Sequence, residues 1–269
     1  MANIVNSLYN IRLLDDLARE KSSIHKLHPI VKLLTTIVYL AMVVSFGKYE
    51  ISRLLAFIFY PVLTFALAEL PVAPVLKRIL LVGPFIIGVG ILNPLFDKYP
   101  VVLAGVTISR GWITFLSIFI KGGLTVTATI LLIATTGMDK LALALRLLKV
   151  PKIFVLQLLL TYRYITTLIE EVSRMSRAYL LRAPGQKGIH WKAWGSFAGQ
   201  LLLRSFERAQ RIYDSMTLRG FTGEYNTLDN KPVSFRDYLY LAGWSSFFII
   251  ARIINIPILI VALFSGVIK

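Results

Sequence analysis

Apolar residues gather in runs long enough to bury a helix in hydrocarbon: Val31–Phe46, Leu54–Ala68, Ile79–Leu95, Trp112–Thr136 and Leu239–Phe264. Crossing ~30 Å of hydrocarbon takes about 20 helical residues. The first run is short, ~24 Å at 1.5 Å per residue, and Pro29 suits its first turn. Pro61 interrupts the second run. The third carries Gly83-Pro84, Gly88, Gly90 and Pro94, which predicts a broken or re-entrant helix packed against protein rather than lipid. The fourth is clean except for Lys121, and the last carries Arg252 and Pro257. Ile153–Ile169 is also apolar, but it holds Gln157 and Arg163, and placing the Arg in lipid costs a few kcal/mol.

Between the fourth and last runs, residues 137–238 are too apolar for a loop and too charged for a membrane. The pattern predicts a short helix, Asp139–Leu148, capped by Asp139 and stopped before Pro151. A long helix follows from Lys152 to Arg182, ~46 Å in length, ended by Pro184-Gly185. A second runs from Ser196 to Arg219, with Gly220 just past its end. The expected organisation is an N-terminal segment with four membrane helices over 1–136, a helical module over 137–238 and the last membrane helix over 239–269.

Composition agrees with a bilayer as solvent. Of 269 residues, 56% are hydrophobic and only 16% charged, and the mean hydropathy is +0.69. That profile excludes a disordered chain. The expected fold class is an all-α integral membrane protein with about five membrane-embedded helices, one of them Gly/Pro-broken, plus a module of two to three long helices.

Charge sets the orientation. Lys and Arg number 30 against 14 acidic residues, a net +16. In a soluble protein this would point to nucleic acid, but on a membrane chain it marks the cytoplasmic face. With the N-terminus inside and Ile153–Ile169 not spanning, 23 basic residues face inward and five outward. A spanning Ile153–Ile169 would instead push Arg174 to Arg236 outside. Sixteen of the basic residues lie in 137–238, whose eight acidic residues leave it at +8. The chain is thus expected to be multi-pass with a cytoplasmic N-terminus, no nucleic-acid partner and, from its start at Met1-Ala2-Asn3, no signal peptide.

Little in the sequence carries chemistry. Without cysteine, disulfides and thiolate sites are excluded. No P-loop is present: Ala183-Pro184-Gly185-Gln186-Lys187-Gly188 has neither the spacing nor a preceding strand. The signatures H-E-x-x-H, G-x-S-x-G and G-x-G-x-x-G are absent too. No catalytic residue, metal site or cofactor is therefore expected in this chain. His25 and His28 sit at i, i+3 before the first run, and two imidazoles alone make a poor metal site. Lys121, Arg252 and Glu69 are scattered in depth, as snorkelling or helix pairing would have them.

The two long helices echo each other. Arg174-x-x-Arg177-x-Tyr179 matches Arg208-x-x-Arg211-x-Tyr213, and the helices end in Leu181-Arg182-Ala183 and Leu218-Arg219-Gly220. One Arg in a last turn complements the helix dipole, worth under ~1 kcal/mol when exposed. Two in matched contexts raise a second reading, in which each helix presents an Arg to one of two similar partners. The remaining Args of these helices read as a solvated or lipid-headgroup-facing surface.

Three stretches resemble a known family. They are Asp16-Leu17-Ala18 with Ser22, His25, Pro29 and Lys32-Leu33; Leu145 to Pro151 with Leu160-Thr161-Tyr162-Arg163-Tyr164; and Ile212 to Gly223. Together they resemble the transmembrane T component of energy-coupling-factor (ECF) transporters, of the cobalt/nickel (CbiQ/NikQ) branch. That family carries two Ala-Arg-Gly-type motifs at the tips of two cytoplasmic coupling helices. Arg219-Gly220 fits the second, with Leu218 in place of Ala. Arg182 fits the first, with Leu181 and Ala183 in place of Ala and Gly, followed by Pro184-Gly185.

The resemblance implies that Arg182, Ala183 and Gly185, and Leu218, Arg219 and Gly220, dock on two ABC-type ATPase subunits. A guanidinium can grip a carboxylate bidentately and still let the joint rotate. ATP and Mg would be bound by those subunits and not by this chain. A separate membrane-embedded substrate-binding (S/M) subunit would hold the metal ion, with Gly83, Pro84, Gly88 and Gly90 as its contact surface. The setting implied is a prokaryotic cell membrane. Three other readings stay open: a T component for a vitamin, a scaffold whose basic segment binds anionic lipid, and a self-contained membrane enzyme or channel using Lys121, Arg252 and Glu69.

Overall fold

The computed structural model describes residues 15–20, 22–97, 99–103, 106–183, 185–186, 188–223 and 232–254. The chain divides into two units, Asp16–Gly137 with Lys231–Lys269, and Met1–Asp15 with Met138–Asn230.

The first unit contains α1 (Pro29–Ser45), α2 (Ile51–Ala56), α3 (Phe59–Ala68), α4 (Val72–Gly90), α5 (Leu92–Phe96), α6 (Arg110–Thr136) and α10 (Phe235–Ile253). A two-stranded antiparallel hairpin, β1 (Pro100–Leu103) and β2 (Val106–Ser109), precedes α6. The apolar runs did not signal this hairpin. Ile51–Ala68, Val72–Phe96, Arg110–Thr136 and Lys152–Arg182 are long and apolar enough to cross a membrane; Pro29–Ser45 is a shorter apolar helix. The chain is an all-α membrane protein carrying one small hairpin. The part of the expected last span beyond Ile254, including Pro257, lies outside the described residues.

The second apolar run breaks at Phe57-Ile58 rather than at Pro61. Pro61 lies in the first turn of α3, where a missing N–H is tolerated. Its lost partner, the Phe57 carbonyl, accepts instead from the Tyr39 hydroxyl at 3.1 Å. The third run departs from expectation in two ways. The helix passes unbroken through Gly83-Pro84 to Gly90, and α5 follows directly after Ile91. One proline removes a single helical hydrogen bond, and a 19-residue helix survives it. Nor does α4 pack mainly against protein of this chain: Leu80, Leu81 and Phe85 are exposed.

The core of this unit is aromatic. Tyr39 and Phe57 are fully buried with Phe248, and Phe46 and Tyr60 close the cluster. The Phe57 and Phe248 rings stack at 5.7 Å, and Tyr60 meets Trp244 edge-on at 4.8 Å. Such contacts add about 1 kcal/mol per pair beyond area. Threonines of α6 turn inward on their own backbone, as Thr127 to Gly123 O at 2.7 Å and Thr135 to Leu131 O at 2.8 Å. That satisfies their hydroxyls without water.

The second unit contains α7 (Met138–Leu147), α8 (Lys152–Arg182), a 3-10 turn at Trp191–Ala193 and α9 (Trp194–Leu218). The bounds of α8 match the expectation, and α9 starts two residues earlier than predicted. Of the four helices long and apolar enough to cross a membrane, α8 is the least apolar.

Candidate functional site

The ends of α8 and α9 are built differently. Past α9, Gly220 takes φ +79°. Its N–H bonds Thr217 O at 2.9 Å, and the Phe221 N–H bonds Met216 O at 3.0 Å. This is a complete Schellman closure, and the left-handed position selects glycine. The closure fixes Arg219 as the cap residue, exposed, immediately after Leu218 at 89% exposure.

At the end of α8, Ala183 N–H bonds Tyr179 O and Gly185 takes φ +92°. The Tyr179 hydroxyl donates to Gln186 Oε1 at 3.0 Å and accepts from the His190 N–H at 3.4 Å. Tyr179 therefore holds the turn that a Schellman closure holds in α9. Arg182 is exposed, and Leu181 before it is 84% exposed. Pro184 lies outside the described residues. Each helix thus ends in an exposed Leu-Arg pair, and neither Arg has a partner among the described residues.

α8 and α9 touch over a short stretch beside a cleft of about 290 Å³ lined by Thr167, Leu168, Glu171, Leu201 and Arg204. Glu171 accepts from Arg204 of α9 and from Arg174 of its own helix, each at 2.6 Å. The hydrogen bond from Arg204, then that from Arg174, holds the Glu171 carboxyl below the usual carboxylate value.

Of the four positions expected to meet a substrate-binding subunit, three are open to the surface to some degree and one is buried. Gly90 is buried, and a Cβ there would lie 2.8 Å from the Phe115 ring of α6. Gly83 and Gly88 have open space where a Cβ would stand, and Pro84 is exposed. The outward surface is completed by Leu80, Leu81 and Phe85.

The charges within the apolar unit have found backbone partners. Lys121 of α6 donates to Phe46 O, and Arg252 of α10 donates to Ser45 O at 3.1 Å while lying 4.3 Å from the Phe46 ring centroid. Two cations from two helices so cap the C-terminal end of α1, where carbonyls lack helical partners. The helix-pairing expectation is met through carbonyls. Glu69 is exposed, in a left-handed turn after α3.

The histidines are not bystanders. His25 and His28 are both buried. His25 Nε2 lies 3.0 Å from Leu17 O and Nδ1 lies 2.7 Å from Ser22 Oγ. The carbonyl can only accept, so Nε2 carries the proton and Nδ1 accepts from Ser22. Burial, then the charge of Lys32, pushes the His25 pKa down. His28 caps α1, its Nδ1 accepting from Ile30 N–H at 3.3 Å. No group of three or more metal-ligating side chains converges among the described residues.

Two further residues carried no role in the sequence. Lys32 is buried and donates to Thr135 O at 2.7 Å. Asp237 is buried and accepts from His28 N–H at 2.9 Å and from Ser234 N–H at 2.8 Å. Ser234-x-x-Asp237 before an apolar run is a capping-box pattern and could have flagged the second.

Residues 20–228 match the family described as CbiQ, cobalt transport protein. Among similar proteins, an uncharacterised protein of Methanocaldococcus jannaschii, MJ1571, is 24% identical over 222 residues, covering 78% of this chain and 75% of that one. A second from that organism, MJ1089, is 30% identical over 130 residues, 46% of this chain and 47% of its own. The nickel permease LarQ of Lactiplantibacillus plantarum is 28% identical over 108 residues, 40% of each chain. The family match covers well over half the sequence and spans both long helix ends, and on that ground the chain belongs to the CbiQ family of cobalt transport proteins.

Proposed function

We propose that this transport component is the energy-coupling T subunit of an ECF-type importer for cobalt or nickel ions. The observation that carries the reading is the pair of exposed Leu-Arg helix ends, Leu181-Arg182 and Leu218-Arg219. An exposed Leu beside an exposed Arg suits a groove with an apolar floor and an acidic rim. Two such ends on one chain suit two ABC-type ATPase subunits. Ala183 and Gly185 at one end, and Gly220 at the other, let each helix stop abruptly enough to enter a groove.

In this reading 138–230 lies in the cytoplasm with the N-terminus, and α8 does not span. The ATPases bind ATP and Mg, draw together and carry the helix ends with them. The membrane helices then reorient a separate substrate-binding subunit in the cell membrane of a prokaryote. The outward face of α4 around Gly83, Pro84 and Gly88 is its contact surface. The ion is assigned from the family description and from the nickel permease relative.

The test is the double variant Arg182→Lys with Arg219→Lys in the assembled transporter. Lysine keeps the charge and loses the planar fork. Expected are normal membrane insertion, weaker co-purification of the ATPases and uptake reduced by roughly ten-fold or more, as for lost charge-assisted hydrogen bonds. Full assembly and uptake would sink the docking reading and favour a scaffold that merely binds anionic lipid.

A further inference from the structure

The segment 138–230 is an insertion between α6 and α10, and both of its attachment points lead to one turn of α1. On the incoming side, α6 ends at Thr136 and Gly137 N–H closes on Ile133 O at 2.9 Å. Thr135 O belongs to the last turn, whose carbonyls have no helical partner. It is taken by the buried ammonium of Lys32, which also complements the negative end of the helix.

On the return side, α10 begins at Phe235, with Ser234 as its cap. The Asp237 carboxylate divides its two oxygens. One closes the capping box on Ser234 N–H, and the other takes the N–H of His28, the residue that caps α1. His28 and Lys32 are one helical turn apart. The approach to that turn is braced by the contacts of His25 with Ser22 and Leu17 O.

We propose that His28, Lys32 and Asp237 form a clamp that ties both roots of the 138–230 insertion to the first turn of α1, and that Lys32 and Asp237 are positioning residues for energy coupling. The second half of this statement rests on the coupling function proposed above. A lever passes motion on only if its roots do not swivel. With both roots fixed to one turn, movement of the insertion is delivered to α1, α6 and α10 as a block. With either root released, the same movement is spent at the joint.

The test uses Asp237→Asn and Lys32→Met, the first being the milder in case the buried lysine is needed for folding. Amide exchange is measured on the full chain in detergent, and cobalt(II) uptake per ATP hydrolysed on the assembled transporter in vesicles. In Asp237→Asn, exchange at Ser234 and His28 rises; in Lys32→Met, exchange rises in the last turn of α6. In both, the ATPases still co-purify, and uptake per ATP falls by about ten-fold, the effect of one lost hydrogen bond to a buried charge.

Unchanged exchange overturns the clamp. Raised exchange with a normal uptake-to-ATP ratio overturns the positioning role, as does a loss of uptake that only follows the amount of assembled protein. Failure of the unaltered chain to bind ATPases would instead strike the coupling function, and the exchange result would still decide the clamp.

Discussion

The two units are held together by opposite means. The apolar unit interlocks rings: Tyr39, Phe57, Tyr60 and Phe248 meet from three helices and the Phe57-Ile58 break, three of them fully buried and Tyr60 at 4% exposure. The unit with α8 and α9 exposes Leu202, Leu203 and Phe206, and its two long helices are joined by Glu171 and little else. Two helices joined at one point can rotate about it, whereas a core of interlocked rings has one arrangement. In the coupling function proposed above, the difference would suit a block that moves as one piece and a pair of arms that change angle.

Emptying the interlocked core should therefore have the largest effect. Phe57→Ala removes a fully buried ring that contacts Tyr39, Phe46 and Phe248. In a soluble core the loss would be ~3–5 kcal/mol. Between membrane helices part of that is missing, because lipid tails are as apolar as the core and only packing is lost. A cost of about 2 kcal/mol is expected, read as a lower thermal midpoint in detergent. The matched change in the other unit, Leu202→Ala, removes a side chain 69% exposed and should move the midpoint little. Equal shifts would erase the contrast.

The middle rank belongs to a helix end. Gly220→Val puts a β-branched residue at φ +79°, where a side chain costs ~1–2 kcal/mol. Exchange of the Phe221 amide, which bonds Met216 O, should quicken about ten-fold. Ala183→Val should leave the first end in place, because Tyr179 anchors that turn by its hydroxyl. α7 shows that this closure does not strictly require glycine. Lys149 adopts φ +62° and its N–H bonds Arg146 O, while the Val150 N–H bonds Leu145 O, the same pair of closures.

How much of this could be read beforehand depends on whether the signal is local. Gly220 after a long amphipathic run states its own conformation, so the end of α9 was legible to within one residue. The exit of α8 was legible for a similar reason, since Pro184-Gly185 forbids continuation. Chain direction through Pro84 was not, because whether one missing hydrogen bond breaks a helix depends on its neighbours. Lys32 and Asp237 were invisible for another reason. Each is defined by a partner far away in sequence, at Thr135 and His28; Lys32 entered as a basic residue and as part of a family-like stretch, Asp237 only in the acidic count of 137–238. The same holds for Lys121 and Arg252, whose partners are backbone carbonyls that no side-chain pattern reveals.

The smallest effect tests the joint itself. Glu171 bonds across from α8 to Arg204 of α9 as an ion pair. Its carboxyl sits below the ordinary value, so the folded state favours the ionised form. Its contribution is complete above the unfolded value of about 4.3 and disappears as pH falls through the lower folded value. Between pH 8 and 6 the joint should therefore be insensitive to pH, and below about pH 4 it should loosen. Exposed pairs contribute at most about 1 kcal/mol and weaken in salt. Glu171→Gln should then leave the thermal midpoint almost unchanged. What it should change is the spread of α8–α9 arrangements. The chain has no cysteine, so Arg177→Cys with Gln210→Cys gives two unique spin-label sites on exposed faces. The distance distribution between them should broaden in Glu171→Gln at neutral pH. In the unaltered pair it should broaden only in acid or high salt. A distribution as narrow in the variant as in the parent would mean that the arms are fixed by packing, like the core they were contrasted with.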